Sequence, residues 1–215
     1  MHDALRAGAA LFAAGHYRAA HEPWEEVWHD VRAADGDDAE ESDDRDERLL
    51  QGLVQYAAAV HHARERNWAG ATGLAESGRE YLDGLPNDYR DVRVGSVREA
   101  LAALEADPER VERRSPEPVV VDGEVPALTD LDLDATLLAA PALAEALGYD
   151  EEFDVETGVE YARRDVADGS ERSKFVRFVF DFVRDAEHRA IVAQRLDQHV
   201  DRRRRKEEDV KGLFG

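Results

Sequence analysis

Leu49-Leu50-Gln51-Gly52-Leu53-Val54-Gln55-Tyr56-Ala57-Ala58-Ala59-Val60-His61-His62-Ala63-Arg64 is apolar on nearly every side of a helical wheel. A helix of that kind cannot keep one face in water and belongs in the centre of a bundle. It is also far too short to be read as a membrane span, which needs about 20 apolar residues. No such run occurs anywhere in the chain. The segment therefore predicts an all-α fold in which other helices surround residues 49–64.

The neighbours supply those helices. Residues 3–14 place Leu5, Ala9 and Phe12 on one face at spacings of four and three. Tyr17 to Val31 carries a stripe of Tyr17, Ala20, Trp24, Val27, Trp28 and Val31, interrupted by Pro23. Proline is tolerated only in a first helical turn, so this helix either starts near Ala20 or bends there. Asn67 is placed to cap a helix burying Trp68, Ala71, Leu74, Ala75, Gly78 and Leu82. Ser96 and Glu99 have capping-box spacing before Leu101 and Leu104. Asp107-Pro108 reads as a further helix start. Between the second and third helices, residues 35–48 (DGDDAEESDDRDER) hold nine acidic and two basic residues and read as a solvated loop. Their spacing does not match a calcium-binding EF-hand loop.

Farther along, Pro116 to Pro126 is rich in proline and β-branched residues around Asp122-Gly123, which predicts a short β-hairpin with a type I′ turn. Two strands cannot stand alone, so this segment must lean on the helices. Helices are then expected over 137–147, 151–166, 174–184 and 186–205. In residues 174–184 Phe175, Phe178 and Phe182 share one face with Val176, Val179 and Val183 beside it. The expected organisation is a helical bundle over 1–114, a hairpin or linker over 115–127, and a C-terminal helical region over 128–215.

Charge narrows the functional classes. The 215 residues include 49 acidic and 28 basic side chains, for a formal net charge of −21. That balance argues against a nucleic-acid partner and against docking on an anionic membrane. The absence of cysteine excludes disulfides, thiolate catalysis and thiolate-bound metals. Lys174, Lys206 and Lys211 are the only lysines, and every other basic residue is arginine. This composition resembles a haloarchaeal-type acidic protein. At molar ionic strength the Debye length shrinks to about 3 Å, which screens repulsion between carboxylates. The opening residues lack a basic leader with a long apolar run, so the expected location is the cytoplasm.

The densest set of chemically capable side chains is Ala20-His21-Glu22-Pro23-Trp24-Glu25-Glu26-Val27-Trp28-His29. His21 and Glu25 are helical neighbours at i,i+4. Gln51, Gln55 and His62 form a polar strip on the central helix. The candidate cluster is His21, Glu22, Glu25, Glu26, Gln51 and Gln55. Three arrangements are compatible with it: a buried polar network fixing helix register, a metal site, or a solvated face with ordinary ion pairs. The metal arrangement draws on Glu26-x-x-His29, the pair that di-iron bundles use twice. The nearest second copy is Asp185-x-x-His188. No metal or cofactor is assigned.

Four blocks then carry a resemblance: Gly15-His16-Tyr17-Arg18-Ala19-Ala20-His21-Glu22, Glu25-Glu26-Val27-Trp28, Leu50 to Ala59, and Asn67-Trp68-x-Gly70-Ala71. In this order they resemble domain-of-unknown-function family 309 over about residues 1–85. The resemblance implies a small all-helical bundle in which His21, Glu22, Glu25, Glu26, Trp28, Gln51, Gly52, Gln55 and Asn67 hold motif positions. It implies no reaction.

No nucleophile–base arrangement or phosphate loop is evident, so the sequence favours a non-enzymatic module that binds a protein partner or forms a homo-oligomer. The alternative is a hydrolase or metal-dependent enzyme using His21, Glu22, Glu25 and Glu26. Arg202-Arg203-Arg204-Arg205-Lys206 reads as dipole and ion-pair support at a helix C-terminus, with a nucleic-acid contact as an alternative that the adjacent acids weaken, and Leu213-Phe214 as a segment able to dock in a groove.

Overall fold

The computed structural model describes residues 1–34 and 41–213, with side chains described for 1–29 and 44–209. The chain divides into two compact units, Met1–Leu131 and Asp132–Gly215. Among the described residues there are helices and isolated bridges but no strand.

The first unit contains α1 (His2–Ala13), α2 (Tyr17–Ala34), α3 (Glu41–Arg64), α4 (Trp68–Leu82) and α5 (Val94–Ala106). α3 lies against both α2 and α4; α1 packs on α2 and reaches α3 through Phe12 and Tyr56, and α5 packs on α4 and also touches α3. Its Leu49, Leu50, Leu53, Tyr56, Ala57 and Val60 are fully buried or nearly so, as its composition requires. Two glycines permit the close approach. A Cβ on Gly8 of α1 would lie 2.3 Å from the buried Trp24 ring, and one on Gly52 would lie 2.3 Å from Leu82. The Asn67 side chain caps α4 by accepting from the Gly70 amide at 3.1 Å.

Several local expectations are corrected. α2 begins at Tyr17, so Pro23 sits well inside it and cannot donate to the preceding turn. α5 begins at Val94, upstream of Ser96, and Asp107-Pro108 opens only a 3-10 turn, Pro108–Glu112. The acidic run is not all loop: α3 starts at Glu41, while residues 35–40 lie outside the described residues.

The β-hairpin spacer over 115–127 does not form. Asp122 and Gly123 do make a tight turn with positive φ at both positions, and Val121 and Glu124 exchange backbone hydrogen bonds across it. The pairing stops after one bridge, because the flanking residues find better partners. Val121 bridges Val92, Val119 and Val121 are fully buried, and the Tyr56 hydroxyl donates to the Glu117 carbonyl at 2.6 Å. The prolines at 116, 118 and 126 lack the N–H groups that a ladder needs.

The second unit holds α6 (Leu133–Ala146), α7 (Val155–Ala167), α8 (Lys174–Arg184) and α9 (Arg189–Leu213). Asp132, Asp154 and Ser173 cap α6, α7 and α8 through their side chains. α8 buries Phe175, Phe178 and Phe182 on one face and exposes Arg177, Asp181 and Arg184 on the other. Leu196 of α9 fills the space over Gly158 of α7.

Substituting Gly8→Ala forces atoms into a full core and is expected to cost about 1–3 kcal/mol. Gly73→Ala, whose Cβ meets open space on α4, is expected to gain about 0.5–1 kcal/mol from helix propensity. Paired urea-unfolding curves distinguish the two, and equal midpoints for both variants would refute this account of Gly8.

Candidate functional site

The motif residues of α2 and α3 fall into two groups. Within α2, Nδ1 of His21 lies 3.3 Å from a carboxylate oxygen of Glu25. That distance suits charge attraction when the ring is protonated. The angle does not suit a hydrogen bond, so the buried Nδ1 has no hydrogen-bond partner. Glu22 is half-buried and Glu26 exposed, and both are engaged with neighbours. His29 is exposed and packs its ring against Trp28 at 4.8 Å.

The second group joins α2 to α3 through Glu47. One oxygen of this carboxylate accepts from the Trp28 indole at 3.1 Å and from the Gln51 amide at 3.0 Å. Gln55, one turn farther, lies beside α4, where a Cβ on Gly78 would approach its own Cβ to 3.0 Å. Gln51 and Gln55 thus share a strip of α3 but reach different partners. The described contacts do not join His21 to either glutamine.

Glu47 was hidden in the sequence by its setting in the acidic run, and so was Asp46. The Asp46 carboxylate is buried and takes a bidentate fork from Arg90 at 2.7 and 2.6 Å, plus the Tyr89 hydroxyl at 2.8 Å. Arg90 and Asp91 both have positive φ, so the turn that delivers the fork is strained. Burial, followed by Asp46, pushes the Tyr89 phenol above its usual range. The only sequence signal for this contact was apolar periodicity resuming at Leu49, which leaves room for one more helical turn upstream.

The two pairs of the di-metal arrangement lie in different units. Asp185 is spent on His188, accepting its backbone amide at 3.1 Å and its ring at 2.9 Å. One grouping that the sequence did not suggest does have ligand spacing: exposed His2, Asp91 and Asp122 present atoms within 4.8 Å of one another. Arg6 already donates to Asp122 at 2.8 Å, and His2 lies 3.0 Å from the same oxygen. The cluster therefore works as an ion-pair clasp between α1 and the 121–124 turn. Arg6, then His2, hold the Asp122 carboxyl below the usual carboxylate range, against some desolvation.

Residues 5–74 match the family model described as Domain of unknown function (DUF309). The match spans α1, α2, α3 and the first half of α4. It therefore takes in His21 through Glu26, Trp28, Gln51 and Gln55. No curated protein matches the chain. Among the described residues, no helix is long and apolar enough to cross a membrane.

Removing one partner of a buried charged hydrogen bond costs about 1–3 kcal/mol. Asp46→Asn is expected to lie in that range, with Arg90→Gln close to it, and a double-mutant cycle on urea midpoints reads their coupling. Because the Asp122 carboxyl is depressed in the folded state, its contribution is present above its unfolded value and is lost as pH falls through the folded one. Asp122→Asn is expected to flatten the acid limb of the stability profile below about pH 4. An unchanged limb would remove the clasp.

Proposed function

We propose that this chain is a cytoplasmic, non-enzymatic helical module that works by holding a protein partner or a second copy of itself. The observation that supports it is the Glu47 carboxylate, which uses the Trp28 indole and the Gln51 amide of the motif to close the α2–α3 seam. Polar groups committed in this way set helix register rather than reactivity. The excess of carboxylates and the scarcity of lysine support a setting at molar salt.

A second reading, a hydrolase or metal-dependent enzyme built on His21, Glu22, Glu25 and Glu26, draws on one observation: the buried His21 Nδ1 without a hydrogen bond. A polar atom left unsatisfied inside a protein is costly and is often kept for chemistry.

Metal analysis of the purified chain separates these readings. The module reading expects no stoichiometric iron, manganese or zinc. Stoichiometric metal lost on Glu26→Gln or His29→Ala would favour the enzyme. Sedimentation equilibrium is expected to show a mass above 24.0 kDa that rises with concentration. A monomer throughout would withdraw the second-copy form. The thermal midpoint is expected to rise between about 0.1 and about 2 M potassium chloride as screening takes effect. A fall would contradict the salt adaptation.

A further inference from the structure

We propose that the second unit binds a small organic phosphate, a flat apolar body carrying a phosphomonoester, in a cleft formed by α7, the start of α8 and one face of α9. The cleft has a volume of about 890 Å³. Ligand pockets of that order, about 300–1,000 Å³, take molecules of drug size.

Its charge is the reverse of the chain's. Five cationic side chains line it: Arg164, Lys174, Arg202, Arg203 and Lys206. The two acids on its wall, Asp165 and Glu207, are both taken by Arg203, at 2.6 and 3.3 Å. Arg164 faces Glu160 at 3.5 Å. Lys174, Arg202 and Lys206 make no ion pair among the described residues. In a chain of net charge −21 with three lysines, two of those lysines stand at this one cleft. A compact ammonium is a point charge suited to phosphate and a guanidinium can grip it with two N–H groups; these two ammoniums and one guanidinium match a group carrying about −1.5 to −2 at neutral pH.

The apolar half of the ligand has its own surface. Phe175 lines the cleft, with the Arg203 guanidinium 5.4 Å from its ring centroid and 4.3 Å from that of Tyr161. His199 also lines the cleft and packs against Phe178 at 4.9 Å. Its Nδ1 is committed to the Arg195 carbonyl at 2.8 Å, so Nε2 is the ring nitrogen left for a ligand. His199, Arg202, Arg203 and Lys206 recur at three- and four-residue spacing, which puts them on one face of α9.

The probe is naphthyl phosphate, titrated calorimetrically into the full chain in potassium chloride, with naphthol and inorganic phosphate as its separate halves. Naphthyl phosphate is expected to bind one to one, and each half at least about tenfold more weakly, a difference of about 1.4 kcal/mol. The triple variant K174Q/R202Q/K206Q changes only exposed side chains. It is expected to reduce affinity at least tenfold with an unchanged thermal midpoint. Three outcomes would overturn the proposal: no binding at about 5 mM probe, equal binding by the triple variant, or inorganic phosphate binding as tightly as the ester. So would assembly of the chain or retention of a DNA duplex abolished by the same substitutions without probe binding, because the cleft would then belong to a second copy or to nucleic acid.

Discussion

A helix with a broad apolar arc must be covered along most of its length, and α3 is such a helix: its buried arc spans about half the wheel, and Gln51, Gln55, His61 and His62 on the other side are half-buried. Ala59, Leu49 and Leu50 spread over about half of the helical wheel, with Leu53, Tyr56 and Val60 between them, and all are buried. Enclosure brings backbones close. Gly8 beneath Trp24 and Gly52 beneath Leu82 stand where any side chain would push α1 from α2 or α3 from α4. The aromatic pair of Phe12 and Tyr56, with centroids at 4.9 Å, continues this packing from α1 to α3. The Tyr56 hydroxyl then reaches past the helices to hold the extended segment at Glu117. Burial drives that phenol well above its usual range, so it stays protonated and keeps donating.

The upstream end of α3 poses a different problem. There the sequence is almost wholly acidic, and a helix beginning in it must accommodate concentrated negative charge. Acidic residues near a helix N-terminus are favoured by the macrodipole. Two of them do more. Asp46 is buried against the Arg90 fork, and Glu47 accepts two donors across the seam. Arginine suits this work because its planar fork meets a carboxylate through two bonds where lysine would offer one point of charge. The same chemistry recurs in the second unit, where Arg204 pairs with the α7 cap Asp154 at 2.6 Å and Arg203 pairs with Asp165. The basic run 202–206 therefore gives ion-pair support through Arg203, Arg204 and Arg205, as expected, but does not complement a helix end. α9 continues to Leu213, and dipole effects fade within the last turn. Leu213-Phe214 lies outside the residues with described side chains.

The two lysines at the cleft stand out against this pattern. Elsewhere many of the cations are arginines bonded to carboxylates, among them Arg6, Arg79, Arg90 and Arg204. At the cleft, Lys174 and Lys206 line a wall whose two acids are both bonded to Arg203. The resulting local excess of positive charge, in an acidic chain, favours an anionic ligand there and gives the cleft a chemical direction.

The all-helical class, the central place of residues 49–64, the Asn67 cap and the helix over 174–184 were legible in the sequence. Each rests on interactions within a few residues: a wheel of apolar positions, a side chain reaching its own helix's amides, a stripe repeating at 3.6. The motif of α2 was legible as a set of residues, and the His21–Glu25 pair followed from i,i+4 spacing. The rest depended on contacts across the chain. Asp46 meets Arg90 over 44 positions, and Glu47 meets Trp28 over 19. Val121 takes Val92 instead of extending its own hairpin, and the cleft gathers residues from three helices. Local periodicity determines which face of a segment must be buried. Which distant charge or edge meets that face depends on how the helices close around α3, and no spacing along the chain encodes that closure.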